Sequence, residues 1–174
     1  GKEVTPNIIK NPHKNADKPK ALSIKENTLV AIRKGMFNVL NEKEGTAFNF
    51  RTIDENFLIA GKTGTSQVRR ITREEREEGV IKNEDLPWKM RDHALFTCFA
   101  PYKNPRYALS VVVEHGGSGS KVAAPIARDI MLFQLYGGMP PLTAYPEKQK
   151  SEVRTRLMDI EKRINLMANI DRNI

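Results

Sequence analysis

The sequence predicts an α+β fold in which helices cover an antiparallel sheet. Three segments, near residues 56–69, 92–100 and 106–115, are rich in β-branched and aromatic residues, as strands are. Residues 27–42 carry apolar side chains in steps of three and four, which predicts a half-buried helix, and residues 120–136 are predicted to form a second helix. The proline-framed turn "PYKNP" joins the last two strands, so we expect them to form a hairpin.

The first predicted helix lies in "NTLVAIRKGMFNVLNEKEG". Asn27 or Thr28 can cap its N-terminus, and Gly45 is a stop signal beyond its C-terminus. The stretch that follows, "TAFNFRTIDENFLIAGKTGTSQV", is expected to be extended, with a turn at "DEN" before the last strand segment. The apolar positions that define the helix are Leu29, Ile32, Met36, Val39 and Leu40.

The second predicted helix follows the turn sequence "GGSGS". Pro125 falls in its first turn, where a missing N–H group does little harm. Ser118 or Ser120 can serve as its N-terminal cap.

The end of the chain differs in composition from the rest. We expect residues 1–145 to hold the compact part and residues 146–174 to form a tail that is helical from about residue 151. One apolar seam on this helix either packs on its own domain or binds a partner. The seam consists of Val153, Leu157, Ile160, Ile164 and Met167.

Charge and composition exclude several functions. The formal net charge is +8, but the basic residues are mixed with acidic ones, as in "RRITREEREE", and no nucleic-acid-binding signature occurs. No apolar run is long enough to span a bilayer, and "GKEVTPNIIK" lacks the apolar core of a signal peptide. The single cysteine, Cys98, lies in an apolar strand and is expected to be a buried, unreactive thiol.

The stretch "LIAGKTGTSQV" has two chemical interpretations. A phosphate-binding loop needs a glycine five positions before the Gly-Lys-Thr triplet and a helix directly after it, but Asn56 holds the glycine position and strand-forming residues follow. A serine acyl-transfer enzyme instead needs a strand through the motif, with hydroxyl and ammonium groups near a substrate carboxylate. In a strand, Lys62 and Gly64 share one face while Thr63 and Thr65 share the other. We therefore favour the acyl-transfer interpretation.

Several blocks in a fixed order give a wider resemblance. A helix with "GM" and "VLN" is followed by "GTA", "AGKTGTSQV", "RDHALFTCFAPY", a "VVVEHGG" strand and a helix. This order resembles the penicillin-binding protein 2 family of peptidoglycan D,D-transpeptidases, over roughly residues 5–140. The resemblance implies the C-terminal part of a transpeptidase domain with the serine β-lactamase-like fold.

The resemblance also implies roles for the motif residues. Lys62, Thr63 and Gly64 match the third sequence motif of the family, in which the lysine supports the electrostatics of the active site. Thr63 and Thr65 resemble hydroxyl donors to the terminal carboxylate of the substrate, and the backbone N–H of Thr65 resembles half of the oxyanion hole. The implied ligands are D-Ala-D-Ala stem peptides and β-lactam antibiotics, and the implied reaction needs no cofactor.

Two further motifs of the family, a nucleophilic Ser-x-x-Lys and a Ser-x-Asn, are expected to lie upstream of this chain. The one Ser-x-x-Lys present, Ser118 with Lys121, follows the Lys-Thr-Gly strand instead of preceding it and is interpreted as a helix cap. "YKN" at residues 102–104 mimics a Tyr-x-Asn variant but fits the hairpin turn better. We therefore expect this chain alone to be inactive.

The remaining candidates are assigned structural roles. The histidines, His13, His93 and His115, lack metal-ligand spacing, so no metal site is predicted, and His93 is expected to order its strand through a hydrogen bond. Gly116 and Gly117 suit a tight turn. The charged excursion after the motif, near residues 69–90, corresponds to a variable loop that borders the cleft in the family.

The resemblance also implies a location and partners for the intact protein. It implies a membrane-anchored parent with this domain on the periplasmic face of the bacterial inner membrane, working with a lipid-linked glycan polymerase and elongation scaffold proteins. The alternative is a non-catalytic interaction module that keeps the sheet without the nucleophile.

Overall fold

A computed structural model describes residues 1–3 and 20–171, with side chains through residue 167. The chain divides into two compact units, residues 1–35 and 36–174, and the boundary falls inside helix α1, Glu26–Asn41. In the first unit, Lys2 and Ala21 form an antiparallel bridge. The sequence "VTPNIIK" at residues 4–10 is compatible with a strand end, but it lies outside the described residues, as does His13.

The second unit contains a three-stranded antiparallel sheet in the order β1-β2-β3. The strands are β1, Ala60–Ser66; β2, His93–Ala100; and β3, Tyr107–Val113. A short helix, α2, Arg73–Glu78, lies between β1 and β2, and α3, Ala124–Tyr136, follows β3 after a π-helical turn at Gly119–Ala123. The last helix, α4, spans Lys150–Asp171. The α+β prediction is confirmed.

Alternation along β2 decides which face of the sheet is buried. Ala94, Phe96, Cys98 and Ala100 are buried, whereas the residues between them are partly or fully exposed. The buried face packs against alanines and Met131 of α3 and its preceding turn, and small side chains there let the helix approach the sheet closely. Cys98 belongs to this core, so its predicted burial is confirmed, and that burial raises the pKa of its thiol to about 12.

The strand predicted near 56–69 is shorter than expected, because residues before Ala60 follow turns. The side chain of Asp54 accepts a hydrogen bond from the N–H of Asn56 and caps a 3₁₀ turn at Glu55–Phe57. The extended structure expected for residues 46–53 is also wrong. The N–H of Ala47 donates to the carbonyl of Val39 in α1, and a 3₁₀ turn follows.

Both predicted helices exist, with shifted starts. Helix α1 begins at Glu26, so Asn27 and Thr28 lie inside it and the capping expectation is wrong. The helix predicted near 120–136 begins with the π-helical turn, whose first residue follows Ser118. Pro125 lies in the first turn of α3, as predicted.

A second apolar cluster attaches the tail to α3. Leu132 of α3 is buried with Ala144, Tyr145 and Val153, the last of which is in the first turn of α4. The later apolar positions of the predicted seam, Ile160, Ile164 and Met167, are exposed. Packing among the described residues therefore accounts for only the beginning of the seam.

Arg128 of α3 is 1% exposed, which is rare for a charged side chain. Its Nε donates to Asp129, its Nη1 donates to Gln149, and its guanidinium lies 4.7 Å from the ring centroid of Tyr145. Asp129 also pairs with Arg156 of α4 at 3.4 Å. The segment after α3 thus supplies two partners of a buried charge, the Gln149 side chain and the Tyr145 ring.

We expect Gly119→Ala to destabilise the chain by about 1–3 kcal/mol, because the added methyl group overpacks a backbone contact. A Cβ at Gly119 would lie 2.3 Å from the Gly64 carbonyl oxygen and 2.5 Å from that of Leu95. Gly138→Ala is the matched control, since a Cβ there meets nothing within 4 Å. Urea denaturation of both variants measures the difference, and equal stabilities would contradict the contact.

A second prediction concerns the hydrogen bond from the Tyr136 hydroxyl to the Asp54 carboxylate. This bond lowers the pKa of Asp54, so its contribution is present at neutral pH and is lost as the pH falls through that lowered value. Tyr136→Phe should therefore cost about 1 kcal/mol at pH 7 and progressively less in acid. Urea denaturation at several pH values tests this, and a cost independent of pH between 7 and 2 would be inconsistent with it.

The same bond has an alkaline consequence. Burial and the hydrogen bond to Asp54 raise the pKa of Tyr136 from its ordinary value of 10.0 to about 12, so the folded chain loses stability as the pH rises through this range. Tyr136→Phe should lack that part of the alkaline loss in the same denaturation series.

Candidate active site

Strand β1 carries the Lys-Thr-Gly motif at an edge of the sheet. It pairs with β2 on one side, and the described residues place no strand on its other side. The register sets Thr63 opposite Phe96 and Thr65 opposite Ala94, so both threonines share the face of the sheet that the core residues occupy. Lys62 and Gly64 lie on the opposite face, as the alternation predicts.

The ammonium group of Lys62 nevertheless lies close to Thr63. Its Nζ donates to the Thr63 carbonyl oxygen at 2.7 Å and is 3.5 Å from the Thr63 Oγ1. The long lysine side chain is exposed and folds along the strand. A positive charge and a hydroxyl group therefore occur together at the middle of β1.

The turn after β3 approaches the backbone of β1 closely. Gly119 lies against the peptide groups of Gly64 and Leu95, where no side chain fits. Gly117 has a φ of 78°, and its N–H donates to the carbonyl of Asp92 at 2.8 Å, so the predicted glycine turn is confirmed. The contact of Gly119 with Gly64 fixes the position of β1 relative to α3.

Sequence reasoning missed two residues that contact β1 or the chain entering it. The Thr46 hydroxyl lies 3.2 Å from the Thr63 hydroxyl. The amide of Asn41 donates to the carbonyls of Phe37 and Ile59, which fixes the end of α1 to the residue before β1. The block "GTA" was part of the resemblance, but nothing in the sequence indicates that its threonine reaches the motif.

The Ser118 and Lys121 pair is a cap, as predicted. The Ser118 Oγ accepts a hydrogen bond from the backbone N–H of Lys121 at 3.3 Å and contacts the Ser120 Oγ at 3.2 Å. Residues 102–104 are bends in the connection between β2 and β3, in agreement with their assignment to a turn.

His93 holds the end of β3, as expected for a structural histidine. Its Nδ1 accepts a hydrogen bond from the backbone N–H of His115 at 2.9 Å, and the two rings are 4.7 Å apart. In the part of the chain that the structure describes, no group of three or more histidine, cysteine or acidic side chains is arranged to hold a metal.

The charged excursion between β1 and β2 is ordered by its own contacts. Thr72 and Glu75 form a capping box at the start of α2, and Glu75 pairs with Arg69 at 2.7 Å. A cleft of about 440 Å³ separates the end of the excursion from the turn before α3. Its lining comprises Lys82, Asn83, Glu84, Arg91, Gly116, Gly117, Ser118, Lys121 and Val122.

A known protein family matches most of this chain. A family model described as the penicillin binding protein transpeptidase domain matches residues 1–132. The chain is 37% identical over 125 residues to the peptidoglycan D,D-transpeptidase MrdA of Haemophilus influenzae, which covers 71% of this chain and 18% of the relative. The same protein of Salmonella typhimurium is 38% identical over 100 residues, 58% of this chain and 15% of the relative.

A solved structure gives the same relationship. Penicillin-binding protein PBP2, in its complex with MreC from Helicobacter pylori, matches with a TM-score of 0.54 and 34% identity, over 72% of this chain and 20% of that one. The chain thus spans about a fifth or less of the length of these relatives.

These matches confirm the resemblance inferred from the sequence and the transpeptidase-like fold. Among the described helices, none combines the length and apolar character needed to cross a membrane. The chain belongs to the penicillin-binding protein transpeptidase-domain family.

Proposed function

We propose that this chain provides the substrate-binding strand of a peptidoglycan D,D-transpeptidase. The observation that carries the proposal is the edge position of β1, with Lys62, Thr63 and Thr65 on a strand that has no described strand beyond it. An extended peptide can lie along such an edge and form backbone hydrogen bonds. The division of the chain into residues 1–145 and a tail, 146–174, stays a prediction.

The side chains of β1 suit the terminal carboxylate of a D-Ala-D-Ala peptide. A carboxylate only accepts hydrogen bonds, and the hydroxyls of Thr63 and Thr65 supply donors on one face. The Lys62 ammonium lies within 3.5 Å of the Thr63 hydroxyl and adds positive charge at the same place. A β-lactam antibiotic presents a similar carboxylate and uses the same clamp.

The proposed reaction is acyl transfer through a serine ester. The serine hydroxyl attacks the carbonyl carbon between the two D-Ala residues, and the bond to the terminal D-Ala breaks, so that this residue leaves as an amine with the proton of the serine. The backbone N–H of Thr65 donates to the oxyanion that forms during the attack. An amine of a second stem peptide then attacks the ester and restores the serine hydroxyl.

We propose that the attacking serine of the intact enzyme is not among residues 1–174. Ser118, within this chain, is engaged as a cap at the start of the helix that ends in α3. We therefore propose that residues 1–174 do not form an acyl-enzyme alone.

For the intact enzyme we propose a place on the periplasmic face of the bacterial inner membrane. The related PBP2 of H. pylori forms a complex with MreC, which supports an elongation scaffold protein as a partner. A lipid-linked glycan polymerase is a further proposed partner.

The 174-residue chain should give no covalent adduct with a fluorescent penicillin. The physical reason is that Ser118, the serine of the one Ser-x-x-Lys sequence in this chain, is engaged as a helix cap. Gel fluorescence and intact mass spectrometry measure the adduct. An adduct that disappears in Ser118→Ala would contradict the assignment of Ser118 as a cap.

A hybrid with residues 1–132 in place of the matching segment of H. influenzae MrdA should form that adduct. In the hybrid, Thr65→Ala keeps the backbone N–H but loses the hydroxyl. Its acylation rate should fall about 10- to 100-fold, as expected for a hydrogen bond to a charged group.

Ser110→Ala is the matched control for the Thr65 variant. Ser110 is an exposed hydroxyl on β3 that donates to Thr97, two strands away from the clamp. Its acylation rate should equal that of the parent hybrid. Equal rates for the Thr65 variant and the parent would count against the proposed clamp.

A further inference from the structure

We infer that Thr46 is a positioning residue that orients the hydroxyl of Thr63 toward the substrate carboxylate. The inference rests on the proposed function, because it concerns the same carboxylate clamp. The two hydroxyl oxygens are 3.2 Å apart, and either of them can be the donor. Hydrogen bonds in ligand-free catalytic sites are often long and tighten when the substrate binds.

The backbone on both sides of Thr46 is fixed against the last turn of α1. A Cβ at Gly45 would lie 2.3 Å from the Asn38 carbonyl oxygen and 2.4 Å from that of Val39, so only glycine fits there. On the other side, Ala47 is buried and its N–H donates to the Val39 carbonyl at 3.0 Å. Thr46 is therefore held between two constrained neighbours.

The strand that Thr46 contacts is anchored to the same turn of the helix. The amide of Asn41 donates to the carbonyl of Ile59, directly before β1, at 3.0 Å. The loop that carries Thr46 and the strand that carries Thr63 thus share one support. A shared support of this kind keeps two functional side chains in a constant relative position.

A bound carboxylate decides which hydroxyl donates in the hydrogen bond between Thr46 and Thr63. Each hydroxyl has one proton to donate. The carboxylate can only accept a hydrogen bond, and the Lys62 ammonium can only donate one. The proton of Thr63 must then point to the carboxylate. The oxygen of Thr63 is left to accept from Thr46, and this second bond polarises the first.

The hydroxyl of Thr46 is not expected to contribute to the stability of the fold. Thr46 is exposed, and its hydroxyl lies outside both apolar clusters. Thr46→Val, which keeps the shape and removes the hydroxyl, should leave the thermal unfolding midpoint of the chain unchanged. Thr46→Ser, which keeps the hydroxyl, is the conservative partner variant.

The test is a titration of the 174-residue chain with an N-acyl-D-Ala-D-Ala peptide, followed by the NMR signals of the Gly64 and Thr65 amides. The same peptide with a C-terminal amide, which lacks the carboxylate, is titrated in parallel. We expect Thr46→Val to raise the dissociation constant of the carboxylate peptide about three- to tenfold, the effect of one neutral hydrogen bond. Thr46→Ser should restore it, and the amide peptide should bind equally to all variants.

The other outcomes overturn the inference in distinguishable ways. If Thr63→Val weakens binding and Thr46→Val does not, the positioning role of Thr46 is wrong while the proposed function stands. If Thr46→Ser binds as weakly as Thr46→Val, the methyl group and not the hydroxyl matters, and the inference is equally wrong. If the unmodified chain does not respond to the carboxylate peptide, the proposed clamp itself fails and the role of Thr46 fails with it.

Discussion

The close approach of the turn at Gly119 to the peptide groups of Gly64 and Leu95 is the constraint on which the candidate site depends. It brings the start of the helical layer against the first two strands at the level of the motif. A side chain at Gly119 would separate these layers, and the edge of β1 would shift with respect to α3. The motif strand is thus positioned by backbone contact, which leaves its side chains available for a ligand.

A second contact of the same kind operates on the other side of the motif. Gly45 lies against the carbonyls of Asn38 and Val39, and it brings the loop after α1 to the hydroxyl of Thr63. Two glycines far apart in the sequence therefore fix the surroundings of one strand. Glycine suits both positions because its role here is to leave room, although each glycine adds to the entropy cost of folding.

The sequence alone predicted the elements more reliably than their limits. The strands and the two large helices were predictable because alternation and helical periodicity are local signals, and the order of the blocks identified the family. The extended structure expected for residues 46–53 failed because Ala47 donates to a carbonyl of α1, which no local pattern records. The capping role assigned to Asn27 or Thr28 failed because the helix begins earlier.

In the candidate site, too, local patterns were predictable and long-range contacts were not. The motif itself indicated which residues share a face of β1, and the register agrees. The sequence did not indicate a role for Thr46, because its contact with Thr63 forms only when the loop after α1 packs against that helix. The position of the Lys62 ammonium near Thr63 was also unpredictable, since a flexible side chain is not restricted by alternation.

Arg128 links the segment beyond the family match to the stability of the matched region. The residue belongs to the matched region, but Gln149, the ring of Tyr145 and the Arg156 that shares Asp129 come from the segment after it. A buried cation that loses its partners costs several kcal/mol, so neither side can change freely without the other. Loss of the segment through the first turns of α4 would therefore destabilise α3 from inside the matched region, because the Arg128 guanidinium would keep Asp129 but lose Gln149 and the Tyr145 ring.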